Sequence, residues 1–75
     1  MEAIYIEHPN FGKCKVIALF LYIAVLELEN NYERYAFVIG LSSKTNTWSK
    51  GYYYRDFSRA IELFSDYFIY IHYIQ

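Results

Sequence analysis

Apolar residues along this chain come in continuous runs, and the polar breaks between them say more than the runs do. The first run, residues 3–8 (A-I-Y-I-E-H), is β-branched and aromatic. Pro9-Asn10-Phe11-Gly12 closes it, so a short strand followed by a turn is predicted. Residues 15–29 form a long apolar stretch in which periodicity does not separate a buried helix from a buried strand. Its surroundings favour a strand. Asn30-Asn31-Tyr32-Glu33 is a polar, turn-prone linker, and residues 34–41 (R-Y-A-F-V-I-G-L) beyond it read as a strand, so the two runs make a hairpin. Glu27 and Glu29 alternate with Leu26 and Leu28, as on a strand with one wet face at its end. A strand is expected over about residues 20–29, with a helix as the alternative for the first half of the stretch.

Residues 42–47 (S-S-K-T-N-T) are a loop by composition. Trp48 and Gly51-Tyr52-Tyr53-Tyr54 follow, either as a further hairpin strand or as an extended approach to a helix. Asp56 is a good helix N-cap, because its carboxylate accepts from the free backbone N–H groups of a first turn. Phe57, Ala60, Phe64, Phe68 and Ile71 then recur at helical spacing, with Ser58, Arg59, Glu62, Ser65 and Asp66 on the other faces. The pattern predicts a helix from Phe57 to about Phe68, and residues 67–75 either prolong it or turn into a strand. The fold class expected is α+β: a small antiparallel sheet of three or four strands packed by one C-terminal amphipathic helix.

Length makes this a single domain, residues 1–75. A chain this short needs a rich core, and 56% hydrophobic and 23% aromatic residues supply one. Ten tyrosines and six phenylalanines exceed what so small a core hides, so some rings must face solvent or a partner. The net charge of −1, with no charge block, lacks both the basic surface of a sequence-independent nucleic-acid binder and the acidity of a nucleic-acid mimic. It also offers little repulsion against self-association. Cys14 is the single cysteine, which points to a reducing, cytoplasmic setting and to a small core residue rather than a nucleophile. The apolar stretch after Lys13 and Lys15 spans about eleven residues, where a membrane helix needs about 20, so no membrane partner is expected.

Catalytic patterns are lacking. Gly12, Gly40 and Gly51 are isolated, so they make no phosphate loop. His8 and His72 have no ligand spacing around them, and His8 with Cys14 makes no recognisable pair. No cofactor, metal or enzymatic activity is expected. Glu27 and Glu29, about 6.6 Å apart on one strand face, read as a solvated edge rather than an acid–base pair. The densest candidate is the segment W-S-K-G-Y-Y-Y-R-D-F, from which Trp48, Lys50, Tyr52, Tyr54 and Arg55 are the candidate partner-binding residues. Tyr, Trp and Arg dominate binding hot spots because they bury large area at small rotamer cost and carry a polar handle. The same rings with Arg34, Lys44, Lys50 and Arg55 could stack bases.

Tyr35-Ala36-Phe37-Val38-Ile39-Gly40, then Trp48-Ser49-Lys50-Gly51-Tyr52-Tyr53, then Asp56-Phe57 and Ala60 to Phe64 resemble small uncharacterised proteins of phages and other mobile elements of Gram-positive bacteria. The resemblance covers residues 34–64. It implies a small accessory protein of the group that includes inhibitors of host defence such as anti-CRISPR proteins, and it carries no functional residue over. The expected function is therefore a non-enzymatic protein-binding modulator. A single-stranded nucleic-acid-binding module using Tyr/Trp stacking is the alternative. Tyr67, Ile69, Tyr70, Ile71 and Tyr73, in a tail almost wholly apolar or aromatic, are the candidates for self-association as a homodimer.

Overall fold

A computed structural model of the chain describes residues 2–74. Five strands precede one helix: β1 (Ile4–His8), β2 (Gly12–Phe20), β3 (Ile23–Leu28), β4 (Tyr35–Ile39), β5 (Lys50–Tyr54) and α1 (Phe57–Ile74). Each strand pairs antiparallel with the next, giving an open meander in the order β1-β2-β3-β4-β5. The class is α+β as expected, but with five strands instead of three or four.

The additional strand comes from the stretch read as one element. Residues 15–29 hold most of β2 and all of β3, and no helix. Two features hide the reversal. Leu21 makes the turn with φ of 53°, in the left-handed region that glycine or asparagine normally occupies. The register between β2 and β3 also shifts between Val16 and Ala18, so Ile17 is an extra residue that interrupts the alternation of faces. The turn is held from outside, because the Tyr22 carbonyl accepts the N–H groups of Gly40 (2.8 Å) and Leu41 (3.1 Å).

The other boundaries follow local chemistry. At the β1–β2 turn, His8 Nδ1 accepts the backbone N–H groups of Asn10 (3.0 Å) and Phe11 (3.2 Å). The Asn-rich hairpin forms between β3 and β4, with Leu28 N–H donating to the Arg34 carbonyl at 2.7 Å. Asp56 caps α1 by accepting the Ser58 N–H at 3.1 Å. The tail prolongs this helix to Ile74 and adds no strand.

Two apolar layers result, one on each side of the sheet. Under α1, Ile23, Phe37 and Ile71 are buried, with Phe20, Ile39, Tyr52, Leu63 and Phe64 packed around them. On the opposite side lie Cys14, Ala24, Leu26, Leu28, Ala36 and Val38, fully buried with no helix above them. Phe11, Leu41, Trp48 and Tyr53 cover that side. Phe11 enters β2, yet its ring stacks 5.4 Å from that of Tyr53 on β5. Three strand spacings separate β2 from β5, about 14 Å in a flat sheet, so the sheet curls its helix-free face into a concave one. Small residues permit this, since Ala24, Ala36 and Gly51 line the concave side while Ile23, Phe37 and Ile39 lie under the helix.

Phe37 is the largest fully buried side chain, ringed by Tyr52, Phe64 and Tyr67. Phe37→Ala is expected to lower unfolding free energy by about 3–5 kcal/mol. Leu21→Asn, at an exposed side chain with left-handed backbone, is expected to raise it by up to about 1 kcal/mol by removing a conformational penalty. Denaturant titration of both variants measures these changes, and a large loss for Leu21→Asn would show that the turn depends on the leucine side chain.

Candidate functional site

The concave face uses up much of the aromatic segment. His8, Phe11 and Trp48 form a ring cluster, with His8–Trp48 centroids 4.3 Å apart and Phe11–Trp48 5.7 Å. The indole Nε1 donates to the Tyr53 hydroxyl at 2.9 Å. Gly51 is needed beneath this pair, since a Cβ there would collide with the Tyr53 hydroxyl and lie 2.9 Å from the indole nitrogen. Trp48 thus acts as part of the cover over Ala24, Leu26, Ala36 and Val38.

The five residues singled out in the sequence do not share one surface. Alternation along β5 puts Tyr53 on the concave face and Tyr52 and Tyr54 on the helix side. Tyr52 is half-buried and stacks on Phe37 at 6.1 Å, while the Lys50 ammonium lies 5.5 Å from its ring. Tyr54 is half-buried, with the Arg59 guanidinium 5.6 Å from its ring. Arg55 leaves the strand and turns to the β3–β4 loop, where it lies 4.4 Å over the Tyr32 ring and donates to the Tyr32 hydroxyl at 3.1 Å.

Tyr32 is the residue that sequence reasoning passed over as linker. It is 71% exposed, and its partner lies 23 residues away. No local pattern announces such a pairing. Around it the structure gathers a mixed surface at one end of the sheet. Tyr35 meets Phe57 edge-on at 5.3 Å, Arg34 is 4.0 Å from Glu27, and Arg59 pairs with Glu62 at 2.7 Å. An open depression of about 420 Å³ adjoins it, lined by Lys15, Val16, Ile17, Glu27, Tyr35 and Phe57. Glu27 stands opposite Lys15 and near Arg34, whereas Glu29 lies past the end of β3. The two acids stand on a charged rim at this end of the sheet.

The tail residues also separate. Ile71 is 2% exposed and packs with Ile23 and Phe37. It is a core residue and does not belong with the self-association candidates, because the helical spacing turns it onto the same stripe as Ala60 and Phe64. Tyr67, Ile69, Tyr70 and Tyr73 remain exposed, Tyr73 at 81%.

Cys14 is buried, with its thiol donating to the Gly12 carbonyl at 3.4 Å. Burial pushes the thiol above its ordinary value of 9.0, and the carboxylates of Glu7 and Glu29 push the same way. Among the described residues, no group of three or more His, Cys, Asp or Glu side chains is placed to hold a metal ion. None of the described helices is long and apolar enough to cross a membrane. Comparison with family models, curated proteins and solved structures finds no match.

Cys14 is expected to react with a soluble disulfide reagent only at the rate of global unfolding, and at full speed in denaturant; fast labelling of the native protein would contradict its burial. The neutral thiol is favoured by folding. Its contribution to stability is therefore complete below the ordinary value of 9.0 and is lost as pH rises through the higher folded value. Comparing denaturation midpoints of wild type and Cys14→Ala from neutral pH upward isolates this loss.

Proposed function

We propose that this chain is a small non-enzymatic protein-binding modulator, of the kind that phages and mobile elements use to inhibit a host protein, as anti-CRISPR proteins do. The observation that carries the reading is the Tyr32–Arg55 pair. A largely exposed ring is held in place by a guanidinium that both hydrogen-bonds its hydroxyl and lies over its face. Tyr and Arg anchors on a rigid scaffold contribute most when their rotamers are ordered before contact. Tyr54, Arg59, Arg34 and Phe57 extend the same surface with further rings and guanidinium groups. The buried, protonated Cys14 thiol fits a binding role better than a nucleophilic one.

A second reading, a single-stranded nucleic-acid module, rests on the same ring beside Arg34, Arg55 and Arg59. Glu27, Glu33, Asp56 and Glu62 weaken it, since they share this end of the molecule and offset the field that would draw a phosphate backbone.

Affinity capture with the purified chain, followed by titration of the captured protein, tests the proposal. Tyr32→Ala and Arg55→Ala are each expected to weaken binding by about 1–3 kcal/mol with the melting temperature nearly unchanged. Tyr52→Ala and Trp48→Ala are expected to lower the melting temperature by several degrees, because both rings pack against buried clusters. Unchanged binding by the Tyr32 and Arg55 variants would remove this surface from the reading. Micromolar binding to a labelled oligonucleotide that weakens steeply with salt would favour the second reading.

A further inference from the structure

Strand order leaves β1 and β5 as the two edges of the sheet, and the two are not alike. β5 opens on Lys50 and is followed at once by Arg55, charges of the kind that discourage edge pairing. β1, Ile4 to His8, contains no lysine, arginine or bulge; its one carboxylate, Glu7, faces away from the groove, and Pro9 lies past its end. Ile4 is 61% exposed, and with Ile6 it floors a groove of about 310 Å³ on the concave side, walled by Val16, Leu19, Leu21 and Leu41. Ser42 and Ser43 complete the lining, which includes no charged side chain.

We propose that β1 is a self-association edge, at which two copies of this chain pair their β1 strands antiparallel about a two-fold axis through Tyr5. An axis perpendicular to the sheet keeps both concave faces on the same side and lets only residues of equal parity meet. With Tyr5 on the axis, Ile4 stands opposite the partner's Ile6, and Ile6 opposite the partner's Ile4. The two apolar grooves then run together across the junction. The flanking residues fit this register: Glu2 falls opposite the partner's His8 and Ala3 opposite the partner's Glu7, so no two carboxylates meet. On the other face Tyr5 meets the partner's Tyr5. The Lys13 ammonium, 4.3 Å over the Tyr5 ring, is balanced by Glu7, its cross-strand neighbour.

The junction unites two five-stranded sheets and closes on itself, leaving only the charged β5 edges outside. One short strand and two isoleucines per copy bury less than the roughly 800 Å² per partner of a standard interface, so the dimer forms in the high micromolar range. The outer face of α1, with Ile69, Tyr70 and Tyr73, is the competing surface.

Sedimentation equilibrium over a concentration series separates the two. The wild-type mass is expected to rise from one chain to two and stop there. Ile4→Lys is expected to preserve the circular dichroism spectrum and melting temperature and to raise the dimer dissociation constant at least tenfold. Ile69→Glu is expected to leave the dimer unchanged. The register has its own test. Directly opposite strand residues have Cβ atoms about 4.5–5.5 Å apart, near disulfide reach, so Tyr5→Cys should give a covalent dimer in a glutathione redox buffer, while wild type, with Cys14 buried, should not. A one-chain mass throughout, a mass beyond two chains, a dimer that survives Ile4→Lys or a dimer abolished by Ile69→Glu would overturn the proposal. A dimer without the Tyr5→Cys cross-link would overturn the register.

Discussion

Apart from Glu27, the two central strands, β3 and β4, are apolar on both faces, and among the described residues there is one helix with which to cover them. That shortage governs the rest of the structure. A second layer of secondary structure would need many more residues, so the uncovered face is hidden by bending the sheet until its own periphery closes over it. The cover comes from both ends of the meander: His8 and Phe11 from the first hairpin, Trp48 and Tyr53 from the last. Phe11, Trp48 and Tyr53 are each partly buried, and a ring of this kind can remove up to about 150–250 Å² from water, so a few aromatics do the work of a helix. The bend in turn demands small residues inside the curve, and Ala24, Ala36 and Gly51 meet that demand.

This arrangement also decides which aromatics are left to act outward. The run Tyr52-Tyr53-Tyr54 is not presented as a block, because strand alternation sends its members to opposite faces and both faces are covered. Arg55 escapes because it lies one residue beyond the strand, where the chain turns toward α1. The β3–β4 loop lies at the same end of the sheet, and that is how a residue of a turn-prone linker, Tyr32, meets a residue of the aromatic segment. The outward surface is thus a product of topology: two loops that share one end of a meander, each supplying half of a pair.

Much of the fold is legible in the sequence wherever the chain marks its own breaks. Pro9 to Gly12, the paired asparagines at 30 and 31, and Asp56 each carry the chemistry of the boundary they make. Local reasoning fails where the boundary is enforced from a distance. Leu21 carries no turn chemistry, and its left-handed backbone is sustained by Gly40 and Leu41 donating to the neighbouring Tyr22 carbonyl. The additional residue at Ile17 breaks the alternation that would have exposed two strands. The same distinction runs through the candidate site. The type of residue in Trp48–Phe57 was readable, but the division of its rings between core and surface depends on the curl, which no single segment encodes. Ile71 shows the opposite case, where helical spacing already places it on the Phe57–Ala60–Phe64 stripe and so in the core.

Six of the ten tyrosines remain exposed: Tyr5, Tyr22, Tyr32, Tyr67, Tyr70 and Tyr73. They are not equivalent. Tyr32 and Tyr5 each lie under a cation, Arg55 and Lys13 respectively, which fixes the ring plane and offsets part of the rotamer entropy that ordering would otherwise cost. Tyr70 and Tyr73 have ring neighbours only, on Tyr67 and His72, and such edge contacts on an open helix face hold a ring less firmly. A ring already fixed in the free protein gives up less freedom on contact, so equal area yields more affinity there. By that criterion the loop end around Tyr32 and the β1 edge around Tyr5 are the two surfaces we propose for contact. One lies in the β3–β4 loop and the other on β1, so they can be occupied together, and a dimer would present two copies of the Tyr32 surface to a partner and gain from both at once.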